Sequence, residues 1–275
     1  MTATIIDGKK IAEEILLGIC EKVKAMKEKP GLALILVGKN PASEIYVNSK
    51  EKKCNELGIY CERYNFSEDV KQKELVDLIY KLNKDNKING ILVQLPLPPD
   101  INEDVINLID PKKDVDGFTS INLGNLVAGN NYVTPATPKA ILKLIEHTGI
   151  SISGKNAVVV GRSKIVGKPV ALLLLERNAG VTVCHSKTEN LSYYTKQADI
   201  LVVAVGKPKL ITKDMIKKNA VVIDVGINRV NGKIVGDVDF ENVREVASYI
   251  TPVPGGVGPM TIAMLLDNLV KMKKP

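Results

Sequence analysis

The sequence predicts an α/β protein of two domains, each built around a parallel sheet. Three observations predict it. Short runs rich in Val, Ile and Leu alternate with helix-period segments along most of the chain, the pattern of βαβ units. In the second half these runs are short, β-branched and bounded by Gly, Asn or Asp, the pattern of buried parallel strands. A segment rich in Gly, Asn and Pro, residues 124–138, separates the two series and marks the junction.

Taken in order, the opening MTATIIDGKKIAEEILLGIC reads as an amphipathic helix, with the helical pattern running over residues 7–28. Strand-like runs follow at 32–37, 60–66 and 90–95, with helical patterns at 41–57 and 69–85 between them. Asn40 and Pro41 supply an N-cap and a first-turn proline, and Gly58 a C-terminal stop. Beyond the junction come a helix at 139–147 and the turn GISISGK. Strands are expected at 157–160, 181–185, 200–205 and 221–225, each bounded by Gly, Asn or Asp, with a helix at 170–177. Residues 251–275 form a Pro/Gly loop feeding an amphipathic helix, and no internal repeat is present.

The bulk numbers exclude several classes. The 275 residues are 45% hydrophobic and 25% charged, ordinary for a globular chain, and the 4% of aromatics with no Trp imply an aliphatic core. The start lacks the basic and apolar regions of a signal peptide. No apolar stretch reaches the roughly 20 residues of a membrane span, so a soluble cytoplasmic protein without a membrane partner is expected. Cys20, Cys54, Cys61, Cys184, His147 and His185 are scattered, which argues for free thiols and no metal. The formal charge of +7 is spread among acids, as in Lys50-Glu51-Lys52-Lys53, apart from Lys271, Lys273 and Lys274 near the end. A nucleic-acid-binding protein is therefore the weaker alternative, and a polyanionic small substrate or a soluble surface accounts equally for the surplus.

In the second half, the strand at 157–160 runs into Gly161-Arg162-Ser163-Lys164-Ile165-Val166-Gly167-Lys168-Pro169 and then a helix. Backbone N–H groups and a helix dipole meet there, as at a dinucleotide phosphate. The pattern is not the usual G-x-G-x-x-G, and an ordinary tight turn is the alternative reading. The next strand ends in His185, Ser186 and Lys187, where an NAD site has an acid for the ribose hydroxyl. Cations and a hydroxyl, with Arg162 nearby, suit a 2′-phosphate and hence NADP.

In the first half, Tyr46 and Lys50 are four apart on one helix, hence on one face. A phenol beside an amine is a candidate acid–base pair, although alone the pair is more often a Tyr packed on a Lys stem. Gln94 closes the third strand in Val93-Gln94-Leu95-Pro96, at a carboxyl strand end where α/β sheets bind ligands. The acids of Asp114-Val115-Asp116-Gly117-Phe118 are either turn formers or ligands for a guanidine-like edge. The glycines of Pro252-Val253-Pro254-Gly255-Gly256-Val257-Gly258-Pro259 suggest close ligand approach.

These segments (YVNSK, GILVQLPLP, KDVDGF, TPATP, VVVGRSKIVGKP, CHSKT and TPVPGGVGPMT) together resemble the bifunctional methylenetetrahydrofolate dehydrogenase/cyclohydrolase family, in order and over essentially the whole chain. The resemblance implies an N-terminal three-layer α/β catalytic domain, residues 1–136, and a Rossmann-like doubly wound NADP domain, residues 137–258. It implies a cleft between them and a final helix, 259–275, returning to the first. It also implies homodimers through the NADP domains and a place in tetrahydrofolate interconversion that feeds purine biosynthesis. The reactions implied are oxidation of 5,10-methylenetetrahydrofolate to the methenyl cation and hydrolysis of that to 10-formyltetrahydrofolate.

By the same resemblance Lys50 is the lysine of the hydrolysis step, Gln94 tunes its protonation, Tyr46 orients the folate and Asp116 holds the pterin's amino-pyrimidinone edge. Val93, Leu95, Val253, Pro254, Gly255, Gly256, Val257 and Thr261 line the substrate. Gly161, Arg162, Ser163, Ile165, Gly167, Ser186, Val205, Gly206 and Ile227 line NADP. Ala136 stands where relatives commonly carry Cys, and hydride transfer does not need that thiol. A dehydrogenase-only relative is the nearer alternative; Lys50 with Gln94 argues against it.

Overall fold

The computed structural model describes residues 2–273. The first elements are β1 (Thr4–Ile5), α1 (Gly8–Ala25), β2 (Gly31–Val37), α2 (Pro41–Glu56), β3 (Tyr60–Phe66), α3 (Gln72–Lys84) and β4 (Gly90–Val93). A 3-10 turn at Glu103–Leu108 leads to α4 (Ser120–Val127) and α5 (Ala136–His147). Then come β5 (Asn156–Val160), α6 (Gly167–Glu176), β6 (Gly180–Cys184), α7 (Leu191–Thr195), β7 (Ile200–Val203) and β8 (Val221–Asp224). The chain ends with β9 (Asn228–Val230), β10 (Lys233–Val235), α8 (Phe240–Val243), β11 (Tyr249–Ile250) and α9 (Val257–Met272).

The described chain falls into two compact units. One comprises Glu14–Ala136 and the residues from Leu265 onward, the other the residues up to Glu13 and Thr137–Met264. The first carries a three-stranded parallel sheet in the order β3-β2-β4. All seven residues of β2 are buried, as the central strand of a covered parallel sheet requires. Its core joins Ala33, Ile35, Val37, Ile91 and Val93 to Leu75, Ile79 and Leu82 of α3, the inward face of an amphipathic helix. Residues from α9 belong to this unit too: buried Asn268 donates to the carbonyls of Val115 at 3.1 Å and Thr134 at 2.9 Å.

The second unit holds six strands in the order β1-β11-β8-β7-β5-β6, every pair parallel. The apolar runs at β5, β7 and β8 are its buried centre. Val158, Val160, Leu201, Val203 and Val222 pack there with Ile211, Val243 and Ile250.

Four details differ from expectation. The opening is not helical throughout, because Thr4 and Ile5 pair with Tyr249 and Ile250 and the helix starts at Gly8. β4 stops at Val93, although the Gln94 N–H still bonds the Ile35 carbonyl at 2.8 Å. Part of the 124–138 segment is helix α4, capped by Thr119, whose hydroxyl accepts from the Asn122 N–H. An antiparallel pair, β9 with β10, also has no counterpart in the pattern reading. Beside the expected spans of 1–136 with 259–275 and of 137–258, the compact units group the residues up to Glu13 with the second sheet, and α9 passes from one unit to the other after Met264. Met1, Lys274 and Pro275, included in those expected spans, lie outside the described residues.

Candidate active site

α2 positions the first group of side chains. Asn40 caps it, its side-chain oxygen accepting from Ala42 N at 3.0 Å and Ser43 N at 3.1 Å, with Pro41 in the first turn. The buried face of this helix carries Ser43, Val47, Lys50 and Cys54, spaced four, three and four residues as one helical stripe demands. An amine therefore sits where the pattern calls for an apolar residue, and Lys50 is only 5% exposed. Its nitrogen is fixed in place: Lys50 Nζ donates to Gln94 Oε1 at 3.0 Å.

Gln94 is held in turn. Its Nε2 donates to the Leu95 carbonyl at 2.8 Å, and Ser43 Oγ donates to the same carbonyl at 3.4 Å. The Gln94 amide is thereby oriented with its oxygen toward Lys50. Burial lowers the Lys50 pKa, with the charge of Asp116 acting the other way. Burial raises the Asp116 pKa, opposed by Lys50. Both shifts favour uncharged forms, as desolvation does. Tyr46, one turn before Lys50, is half-buried and its phenol is pushed up by that burial.

The two acids of the KDVDGF turn have separate tasks. Asp114 is 1% exposed and its carboxylate accepts from the backbone of Gly117 (3.0 Å), Phe118 (3.1 Å) and Thr119 (2.8 Å) and from Asn122 Nδ2 (2.8 Å). It is the turn former. Asp116 is the acid whose charge and that of Lys50 favour each other's ionised form, against the effect of burial. Gly117 has φ +72°, and a Cβ there would lie 3.0 Å from Pro135 N, so the turn needs glycine. Pattern reading missed Ser43 and the role of Asn268; the stripe spacing from Ser43 to Lys50 was the available signal.

In the second unit the named residues line up along one edge of the sheet. Gly161, Ser186, Val205 and Ile227 follow the carboxyl ends of β5, β6, β7 and β8, which are consecutive neighbours in the order β8-β7-β5-β6. Such an edge is where open α/β sheets bind ligands. The glycine turn is a cradle: a Cβ on Gly161 would lie 2.3 Å from the Ala204 carbonyl oxygen, and one on Gly167 would lie 2.1 Å from that of Gly161. Ser163 Oγ accepts from Val166 N at 3.1 Å and Gly167 N at 3.3 Å, tying the turn into the start of α6. Arg162, Ser163 and Ser186 are exposed, Ile165 is half-buried and Ile227 is 50% exposed. His185 Nδ1 accepts the Lys187 N–H at 3.1 Å, which leaves the ring proton on Nε2 as a donor beside those of Arg162, Lys187 and Ser186. These residues suit a dinucleotide.

The segment from Val253 also lies in this unit. Its close approach is to the chain's own backbone: a Cβ on Gly8 would lie 2.0 Å from the Gly256 carbonyl oxygen, and Lys9 N donates to the Gly255 carbonyl at 3.0 Å. The Val253–Pro254 peptide is cis, Gly255 has φ +110°, and Val257 begins α9. Thr261 Oγ1 reaches both the Val257 carbonyl and Thr137 Oγ1 at 3.2 Å. Among the described residues no group of three or more His, Cys, Asp or Glu is placed to hold a metal, and no helix is long and apolar enough to cross a membrane.

Comparison with known proteins covers both units. Residues 6–116 match the tetrahydrofolate dehydrogenase/cyclohydrolase catalytic domain, and residues 135–275 match the NAD(P)-binding domain of the same family. A protein of Acetivibrio thermocellus named bifunctional protein FolD is 56% identical over 280 residues, spanning 100% of this chain and 98% of its own. The crystal structure of a FolD methylenetetrahydrofolate dehydrogenase/cyclohydrolase from Campylobacter jejuni is 51% identical, covers 98% of each chain and superposes with a TM-score of 0.96. A Trypanosoma brucei enzyme of that description, complexed with NADP cofactor and inhibitor, is 38% identical over 99% of this chain and 97% of its own, with a TM-score of 0.95.

Proposed function

The chain belongs to the tetrahydrofolate dehydrogenase/cyclohydrolase family, and from that premise we infer that it performs both reactions the name describes. It oxidises 5,10-methylenetetrahydrofolate to the 5,10-methenyl cation with NADP+, and hydrolyses that cation to 10-formyltetrahydrofolate. The observation that carries the second activity is the buried amine of Lys50 held at 3.0 Å by a neutral amide oxygen. An amide fixes Nζ without pinning its proton as a carboxylate would, and burial favours the neutral amine. Lys50 then retains a lone pair to take a proton from the attacking water. The cationic substrate acts in the same direction on its pKa.

The other roles follow from chemistry and position. The Asp116 carboxyl receives the donors of the pterin's amino-pyrimidinone edge, and Tyr46 packs on the folate rings. Val93 and Leu95 line the substrate beside Gln94, with Val253, Pro254, Gly255, Gly256, Val257 and Thr261 as further substrate contacts. The unit built on β3-β2-β4 is the folate-binding catalytic domain, and the unit built on the six-stranded sheet is the cofactor domain.

The oxidation needs no strong base, because the adjacent nitrogen lone pairs expel the hydride. When bound, the oxidised nicotinamide supplies the acceptor for it. The glycine turn from Gly161 to Gly167 accommodates the dinucleotide phosphates, with Val205, Gly206, Ile165 and Ile227 beside it. Arg162, Ser186 and Lys187 supply donors for a 2′-phosphate, which favours NADP over NAD. We further propose a cytoplasmic homodimer serving purine biosynthesis. Support for the dimer comes from β6, an edge strand whose Val183 is 38% exposed, while Leu175 of α6 is 58% exposed; such an edge is of the kind proteins seldom leave unpaired.

The test is absorbance of the purified protein with 5,10-methylenetetrahydrofolate and either NADP+ or NAD+. Reduced cofactor forming with NADP+ while methenyl stays low and 10-formyl product appears is the expected result. Reduction without 10-formyl product would reduce the assignment to a dehydrogenase, and no reduction with either cofactor would refute it.

A further inference from the structure

Two carboxylates behind the cofactor edge have no part in the chemistry above. Asp237 is 0% exposed and Asp224 3% exposed. Asp237 Oδ2 accepts from Val205 N at 2.7 Å and Gly206 N at 2.9 Å, and its Oδ1 from Lys207 N at 2.8 Å and Asn228 Nδ2 at 2.9 Å. One buried side chain therefore binds the loop that follows β7 to the loop that follows β8. Asp224 fixes the segment that carries it: its Oδ1 accepts from Gly226 N at 3.0 Å and Asp237 N at 2.9 Å, and its Oδ2 from Val238 N at 2.9 Å.

Glycine makes the arrangement possible. A Cβ on Gly226 would lie 2.2 Å from Asp237 Cγ, and one on Gly236 would lie 1.8 Å from Asp224 Oδ2. Two backbones have been brought as close to these carboxylates as they can come, and only residues without a side chain fit. Three successive N–H groups wrapped on a carboxylate are a strong, geometrically specific clamp. The loops it joins carry Val205, Gly206 and Ile227, the residues assigned to the cofactor.

We propose that Asp237 is a positioning residue for the dinucleotide, locking the 205–207 loop and the start of β9 into one rigid binding edge. The proposal rests on the reading that these loops face NADP. Asp237 touches neither substrate nor reacting atoms. Its removal lets the 205–207 backbone relax, so the cofactor must order that loop on binding.

The experiment is dehydrogenase and cyclohydrolase kinetics of Asp237→Asn and of Asn228→Ala, with the NADP+ dissociation constant measured by fluorescence titration. An amide at position 237 cannot accept with both of its atoms, so at least one of the clamped N–H groups loses its partner. Asp237→Asn is expected to raise KM and Kd for NADP+ roughly tenfold or more, with a smaller change in kcat and with cyclohydrolase activity on supplied methenyltetrahydrofolate unchanged. Asn228→Ala, which removes one of the four bonds from a half-buried position, is expected to raise both constants by roughly threefold to tenfold. Unchanged NADP+ constants in a folded Asp237→Asn protein would overturn the proposal. If that variant fails to fold, unchanged constants in Asn228→Ala overturn it instead. Ile227→Asp tests the underlying reading: if it leaves NADP+ affinity unaltered, the loops do not face the cofactor, whatever Asp237 does.

Discussion

Lys50 illustrates how burial sets chemistry at the scale of one residue. Its folded pKa is depressed, so between that value and the ordinary 10.5 the unfolded chain binds the extra proton. Stability linked to this group therefore rises with pH through that window and is lost as pH falls through the folded pKa. Lys50→Met is expected to flatten that slope in thermal denaturation followed against pH, and to cut cyclohydrolase activity by about 100-fold or more, the scale of a lost general base. A variant that hydrolyses the methenyl cation near-normally would remove Lys50 from the mechanism. Gln94→Glu places a carboxylate against Nζ and is expected to move the cyclohydrolase pH profile to higher pH, because an adjacent anion favours the ammonium. Asp114→Ala strips four donors of their acceptor and is expected to cost about 3 kcal/mol or more in urea unfolding. Pattern alone leaves the two acids of KDVDGF equivalent and the resemblance singles out Asp116; only the structure shows that Asp114 is the turn former, held by four donors.

At the scale of elements, the strand–turn–helix from β5 to α6 depends on contacts that no helix or strand propensity encodes. The 2.1 Å distance from a Cβ at Gly167 to the Gly161 carbonyl oxygen cannot be accommodated without opening the turn, since both partners are backbone. Gly167→Ala is expected to raise the NADP+ KM more than tenfold by displacing the phosphate cradle, an estimate on the scale of one misplaced binding loop. Unchanged dinucleotide kinetics would show that the turn is not the cradle. The β6 edge makes a second claim at this scale. Val183→Lys puts a charge on an open edge, a device that blocks strand pairing, and sedimentation is expected to show a dimer for the parent protein and monomers for the variant. Most of these elements were legible beforehand, because apolar periodicity reports burial directly. β1 was not: two residues are too few for a period, and they form a strand only because β11 offers carbonyls and N–H groups alongside.

At the scale of the whole molecule, ligand binding should register in the stability of the chain. NADP+ at about 100 times its Kd adds about 2.7 kcal/mol to the bound state, worth about 5–10 °C in a chain of this size. Differential scanning is expected to show that shift with NADP+ and a smaller one with NAD+ at equal concentration. Equal shifts would remove the 2′-phosphate argument built on Arg162, Ser186 and Lys187. The assignment of chain to unit was only partly legible. The change near residue 137 coincides with a Gly/Asn/Pro-rich segment, whereas the changes after Glu13 and Met264 fall inside helices α1 and α9. Nothing in a continuous helical period announces that its two ends pack in different places.

The sequence by itself determined the α/β class, the buried parallel strands, the capped helix bearing Tyr46 and Lys50, and the family. Local pattern suffices for these because burial periodicity, caps and glycine turns are written in neighbouring residues. Only the tertiary structure decided which polar groups meet: Ser43 and Gln94 on the Leu95 carbonyl, Asp114 inside its own turn, Asn268 on two distant carbonyls, and Asp237 on three successive N–H groups 30 to 32 residues away. Hydrogen bonds are directional and short, so their partners are fixed by where the backbone brings atoms within about 3 Å, a condition that residue order leaves open.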